Sequence, residues 1–381
     1  MKQLLALLAA ITLLTSGCSW FSRVEPAVDI SELTELASPL ASRVNWSRDI
    51  GEGTDEEGVR LVVSLDGSTL YAANYGGTIL ALNSQTGSTI WSKDAGIELA
   101  GGPGASNGLV IVGSTEGEVI ALSQSGGTES WRATVSTEVT SVPAAGNGIV
   151  AVHTNDGKIV GLDSATGEQR WLFHRAPPVL SLRGSGMPVF DGNALFCGMD
   201  GGRLVRLNAS TGIPVWETPI AYASGRNELE QIVDIDGNMV LAGNTLFVTS
   251  YQGDMAAVNK SDGNVRWRRG FSSHQGLASD GVNLYASDSN GHVFGISRED
   301  GSILWKQELL AGRQLSPVVV VGSHVAVADL EGYLHWLSTT DGRIVSRVRP
   351  VSSRVSAPLV SNGSSVYVYG EAGELASVSP P

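Results

Sequence analysis

The chain has 381 residues, 42% of them hydrophobic, which is enough for a sizeable core and excludes a wholly disordered protein. Its 47 glycines follow no collagen-like period and so point to many turns and an all-β class. A net charge of −13 repels a phosphate backbone and argues against nucleic acid as a partner, and two cysteines cannot make a disulfide framework or a multi-cysteine zinc site.

At the amino terminus, Lys2 is the only charge before Arg23, and Leu4 to Leu14 form an apolar stretch too short to span a bilayer, which needs ~20 residues. That is the pattern of a signal peptide. The stretch ends in Thr15-Ser16-Gly17-Cys18, which resembles the lipobox of bacterial lipoproteins and implies removal of residues 1 to 17 and acylation of Cys18. An ordinary secretory signal with Cys18 as a bystander is the other reading. Ser19, rather than Asp, follows the cysteine, and by the sorting rule for such lipoproteins this implies lipid anchoring at the periplasmic face of the outer membrane. Residues 18 to 41 mix Ser, Glu, Pro and Ala without an apolar period, so an acylated cysteine and a flexible tether with little fixed structure are expected there.

Internal repetition dominates the rest of the chain. A glycine opens a short apolar run and a second glycine follows ten places later, in seven pairs from Gly77 and Gly87 to Gly332 and Gly342. Four residues beyond the second glycine stand Trp91, Trp131, Trp171, Trp216, Trp267 and Trp305, with Ser346 in the seventh unit. Runs such as Ile79-Leu80-Ala81-Leu82 between the glycines predict strands buried on both faces. An eighth unit carries Gly363 and Gly373, but the chain ends at Pro381 before its aromatic strand, while Trp46 has no repeat of its own. Trp46 should therefore complete the eighth unit, so residues 42 to 381 are expected to form an eight-bladed β-propeller of four-stranded blades closed by an N-terminal strand; seven blades with an irregular tail is the other reading, should the two ends not pair. The tryptophans are expected to pack blade on blade, and the glycines to serve turns and close approach.

From each tryptophan position to the start of the next unit the spacing runs 16, 12, 12, 17, 22, 9, 12 and 12, beginning at Trp46. Length variation is thus confined to the connections between blades, and insertions on one face of a repeat protein commonly mark its binding face. Two long connections are consecutive, 172 to 187 and 217 to 237. The first carries Leu180, Leu182 and Arg183, and the second carries Asp234 and Asp236. In extended chain the two leucines share a side, as do the two acids, and on exposed loops they would compose a protein-binding patch. Alternatively the leucines extend an inner strand, Arg183 pairs with one Asp, and the loops brace each other. The six histidines show no metal-ligand spacing, no G-x-S-x-G elbow is present, and Cys197 reads as a buried strand thiol. No catalytic, cofactor or metal residue is therefore expected.

The units resemble the pyrroloquinoline-quinone-type propeller repeat, as in Ala81-Leu82-Asn83 through Trp91, a motif that speaks for fold and not activity. With Leu180-Ser181-Leu182-Arg183-Gly184, Asp234-Ile235-Asp236 and Leu330-Glu331-Gly332-Tyr333-Leu334-His335-Trp336, the whole chain resembles the BamB family of lipoproteins of the outer-membrane β-barrel assembly machinery, the BAM complex. The resemblance implies a non-enzymatic scaffold that docks on the periplasmic POTRA domains of BamA through Leu180, Leu182, Arg183, Asp234 and Asp236. It also implies that the scaffold assists delivery of unfolded outer-membrane proteins. The rival readings are a quinone-dependent dehydrogenase, disfavoured by the short chain and the lack of adjacent cysteines, and a lipoprotein scaffold with another partner.

Overall fold

A computed structural model describes residues 29–54, 59–176, 186–222 and 231–381. Eight antiparallel sheets follow one another around a ring, the eight-bladed propeller expected from the repeats. In blade three, for example, Ala144–Gly146, Ile149–Thr154, Lys158–Asp163 and Gln169–His174 pair in sequence order from the centre outward. Both faces of a blade meet its neighbours. The second and third strands are therefore buried along almost their whole length, and their sequences are apolar without alternation. Inner edges of six blades surround a central cavity of about 260 Å³, lined by residues such as Val63, Ala105, Val142, Met187 and Val360.

The repeated glycine and tryptophan prove to be two halves of one contact between blades. In blade one the Asn83 side chain accepts the N–H groups of Gln85 and Thr86 at 2.9 and 3.0 Å, forming the turn on which Gly87 takes φ +70°. Only glycine fits there, since a Cβ would lie 2.7 Å from the ring of Trp46, whose Nε1 donates to the Ser84 carbonyl at 3.1 Å. Trp91 covers Gly127 in the same way, Trp131 covers Gly167, Trp171 covers Gly212, Trp216 covers Gly263, Trp267 covers Gly301 and Trp305 covers Gly342. Each of these indole N–H groups donates to a carbonyl of the next blade at 2.8 to 3.2 Å. A buried ring with its one polar atom satisfied contributes area at no desolvation penalty.

The ends of the chain meet as expected. Arg43–Asp49 pairs antiparallel with Glu374–Ser379, with Trp46 opposite Ser377, so the first strand completes blade eight while its tryptophan locks onto blade one. Tyr369 and Tyr367 strengthen that seam by donating to the carbonyls of Ala73 and Ser84, at 3.0 and 3.1 Å. Blade two departs from four strands, because Arg60–Leu61, at the end of the connection that follows the first strand, pairs in parallel with Leu99–Ser106.

Two further departures explain each other. Blade seven lacks the outer-strand tryptophan, and Ser346 stands cross-strand from Trp336, which is fully buried. In most other blades the order is reversed, with the large ring outside and a small residue opposite it, as in Trp91 with Ala81 and Trp305 with Gly295. Ser346 is small because residues 29–42 run past it. Its hydroxyl donates to the Leu40 carbonyl at 2.8 Å and bonds the Ser42 hydroxyl at 3.0 Å, while Leu40 N–H donates to the Val345 carbonyl at 2.8 Å. The expected tether thus lacks regular structure from residue 29 onward but has a fixed position, because blade seven offers it hydrogen-bond partners. Ser346→Trp, which restores the repeat locally, is expected to destabilise the ring by about 1–3 kcal/mol through overpacking, read as a lower urea midpoint.

Candidate partner-binding face

The order of antiparallel strands places the connections between blades on the same face as the turns between second and third strands. Of the residues singled out in the two long connections, Asp234 and Asp236 lie within the described chain; Leu180, Leu182 and Arg183, like Cys18, lie outside it. Expectation and structure differ for the two acids. They were expected to be exposed on a loop, but Asp234 is 1% and Asp236 8% exposed. The segment is not a strand, so the two carboxylates do not have to share a side. Asp234 accepts the Gly201 N–H on Oδ1 at 3.0 Å, and its carbonyl accepts the Tyr251 N–H at 2.9 Å. It therefore ties the rim turn of blade four to that of blade five. Asp236 instead borders the central cavity beside Asn238 and Met187.

The hydrophobic residues between the acids account for their burial. Val233 and Ile235 are each 1% exposed, and glycines of blade four let them approach. A Cβ on Gly202 would lie 2.7 Å from Val233, and one on Gly198 would lie 2.2 Å from the Ile235 carbonyl oxygen. Gly186, at the end of the other long connection, approaches that same carbonyl, which a Cβ there would meet at 2.7 Å. The described ends of the two long connections thus brace each other, and the acids sit in a rigid floor.

Blade three holds the near side of this floor. His153 is fully buried, its Nδ1 lies 3.3 Å from the Gly186 carbonyl, and its own carbonyl accepts the Ser141 hydroxyl at 2.8 Å. Burial pushes its pKa down to about 4, against weaker raising contributions from the Gly186 carbonyl and Asp156. Below the unfolded value of about 6.5 the unfolded chain binds a proton that the folded chain refuses, so stability rises with pH through this window. The ring is expected to lose roughly 1.4 kcal/mol per pH unit from this one group as pH falls from 6.5 towards 4. Urea midpoints at pH 7.5 and 5 check this, and His153→Gln should flatten the dependence.

A second cluster on this face escaped the reading of the residues by type. Arg313, with a side chain 3% exposed, pairs with buried Asp329 at 2.7 Å and with Glu331. Asp329 also accepts from His335 Nε2 at 2.8 Å, and Arg347 Nε donates to His335 Nδ1 at 3.1 Å. Because Arg347 donates to Nδ1, the imidazole is neutral with its proton on Nε2, in keeping with burial holding its pKa below the ordinary range. Its sequence signal was the Leu330 to Trp336 stretch, which contains Glu331 and His335. Among the described residues, no three His, Cys, Asp or Glu side chains converge as metal ligands would. Burial in blade four raises the pKa of the Cys197 thiol, which makes it a poor nucleophile.

A family profile described as "Outer membrane protein assembly factor BamB" matches residues 75–307 and 300–380. The assembly factor BamB of Pseudomonas aeruginosa is 47% identical over 322 residues, covering 84% of this chain and 84% of that protein. Its Escherichia coli K12 namesake is 34% identical over 297 residues, or 75% of this chain and 76% of that protein. The crystal structure of BamB from Moraxella catarrhalis superposes with a TM-score of 0.81 at 25% identity, covering 89% of this chain and all of that one. Quinohemoprotein alcohol dehydrogenase from Comamonas testosteroni shares the fold alone, with a TM-score of 0.68 at 13% identity over 89% of this chain and 76% of that one. On a profile spanning most of the ring and a relative identical at nearly half its aligned positions, the chain belongs to the BamB family of outer membrane protein assembly factors.

Proposed function

We propose that the protein is a non-enzymatic scaffold of outer-membrane protein assembly. An acyl chain on Cys18 anchors it to the periplasmic face of the outer membrane. Its long connections dock on the POTRA domains of BamA through Leu180, Leu182, Arg183, Asp234 and Asp236, and the complex hands unfolded outer-membrane proteins onward. The observation that carries this reading is the meeting of the two long connections, with Gly186 packed on Ile235 and Asp234 stapled to Gly201. The described ends of two consecutive insertions form a braced floor, and a preorganised support reduces the ordering cost of association.

Burial divides the roles of the five residues. Asp234 and Asp236 are buried in the floor at the described ends of the two connections, so their substitution should alter stability as well as binding. Leu182→Ala and Arg183→Ala therefore make the cleaner test. The periplasmic domains of BamA should bind the native chain saturably and each variant at least tenfold more weakly, with unchanged melting. A folded native chain that does not bind them overturns the reading. Adding quinone and calcium tests the dehydrogenase alternative, and a bound chromophore with dye-linked alcohol oxidation would establish it.

A further inference from the structure

We infer that residues 29–42 are a strap that fixes the side of the ring from which the chain leaves for the membrane, and that this is the side carrying the long connections. The membrane part of the inference rests on the lipid-anchor reading of Cys18. The strap is held at three levels along blade seven. Near Ser42 it is bonded to Val345 and Ser346 as described above. Higher, Arg347 Nη1 donates to the Thr34 carbonyl at 3.0 Å. At the top, Ser31 N–H donates to the Ala311 carbonyl at 2.9 Å and Arg313 Nη1 donates to the Ser31 carbonyl at 3.0 Å. Leu33 and Leu36 pack on the apolar cluster that includes Tyr285, Leu310 and Leu315.

The direction of travel follows from the strand beneath. Ile344–Val348, the outermost strand of blade seven, ends at the face of the inter-blade connections. Going backward along the chain from Ser42 to Ser31, the strap passes Val345, then Arg347, and reaches Ala311 in the connection between blades six and seven. Asp29 therefore lies at the face that bears Asp234. The charged cluster gives the strap its specificity. Two arginines engaged by Asp329, Glu331 and His335 have N–H groups left over, and the carbonyls of Ser31 and Thr34 take them.

Strapping also shortens the reach of the chain. From Cys18 to Asp29 are 11 residues, which extend at most about 36–40 Å, whereas a tether free to the first strand at Arg43 would extend roughly twice as far. An anchored ring would then be held close to the bilayer, with the edge at blades six and seven turned towards it.

The test uses the full acylated chain in phosphatidylethanolamine–phosphatidylglycerol vesicles. Hydrogen exchange should show the Ser31 and Leu40 amides protected, and Leu33→Ala combined with Leu36→Ala should speed their exchange at least tenfold while the ring stays folded. Arg347→Ala is a second route to release if that pair is poorly produced. Energy transfer to headgroup acceptors should be several-fold stronger from a dye at Leu309→Cys than from one at Ser125→Cys, an exposed residue in the turn between the third and fourth strands of blade two and so on the opposite face of the ring, and release should equalise them. Unprotected amides in the native chain overturn the strap. Equal transfer in a vesicle-bound native chain overturns the orientation. A chain with protected amides that does not associate with vesicles overturns the lipid-anchor reading and the orientation with it, leaving the strap as a clamp on blade seven.

Discussion

Trp131→Ala is expected to cost about 3–5 kcal/mol of stability, the range for truncating a large buried ring. Trp131 is buried on its own blade, bonds the Ser164 carbonyl at 2.9 Å and covers Gly167 in the next blade. Gly167→Ala attacks the same contact from the other side. It places a Cβ 2.6 Å from the ring at φ +76°, so it adds a collision to the left-handed backbone cost of about 1–2 kcal/mol. Gly192→Ala isolates that backbone cost, because Gly192 has φ +58° and nothing within 4 Å of its Cβ position. In the double variant the lost ring leaves room for the new methyl group, so the two effects should sum to less than their separate values by 1 kcal/mol or more, a coupling typical of about 0.5–3 kcal/mol between contacting residues. Urea denaturation with constant slope measures the cycle. Additive effects would mean that the tryptophan and the glycine are independent features and that the ring is not closed blade by blade in this way.

Asp329→Ala should have a comparable effect for an electrostatic reason. The carboxylate accepts from Arg313 and His335 on Oδ2 and from the Glu331 and Tyr333 N–H groups on Oδ1, at 2.9 and 3.1 Å. Burial alone would raise its pKa, but the hydrogen bonds from His335 and Arg313 and the charge of the Arg313 guanidinium hold it below the ordinary range. Removing it leaves a buried guanidinium without its principal carboxylate, for which a loss of about 3–5 kcal/mol is expected. Asp329→Asn keeps an acceptor for the two backbone groups and should fall between native and alanine. Because Arg313 also holds Ser31, Asp329→Ala should speed exchange of the Ser31 amide as well as lower the urea midpoint. A stable Asp329→Ala ring with a protected strap would show that the network is dispensable.

These two contacts differ in how far they were legible from the residues alone. Gly87 and Trp91 recur in step through the chain, and periodic residues must occupy equivalent places, so the blade number, the strand runs and the pairing of the chain ends could be read from spacing. The partner of each glycine could not. Trp131 and Gly167 belong to different units, and only the stacking of blades brings the end of one onto the turn of the next.

The irregular positions divide in the same way. Spacing marked 172 to 187 and 217 to 237 as unusual, and the acids at 234 and 236 as notable. Their residue type suggested exposure, yet Val233 and Ile235 are drawn into blade four and carry the acids inward with them. Burial of a carboxylate depends on backbone donors such as the Gly201 N–H, which come from another blade and leave no mark in the local sequence. The strap is the clearest case. Residues 29–41 carry no apolar period and so looked like a tether. What orders part of that segment lies about 300 residues away, in Arg313, Val345, Ser346 and Arg347. The chain by itself determined the repeat, because periodicity is local and additive. Only the closed ring decided which side chains are buried and where the amino terminus lies, because those depend on hydrogen-bond donors, acceptors and apolar surface that distant segments bring together.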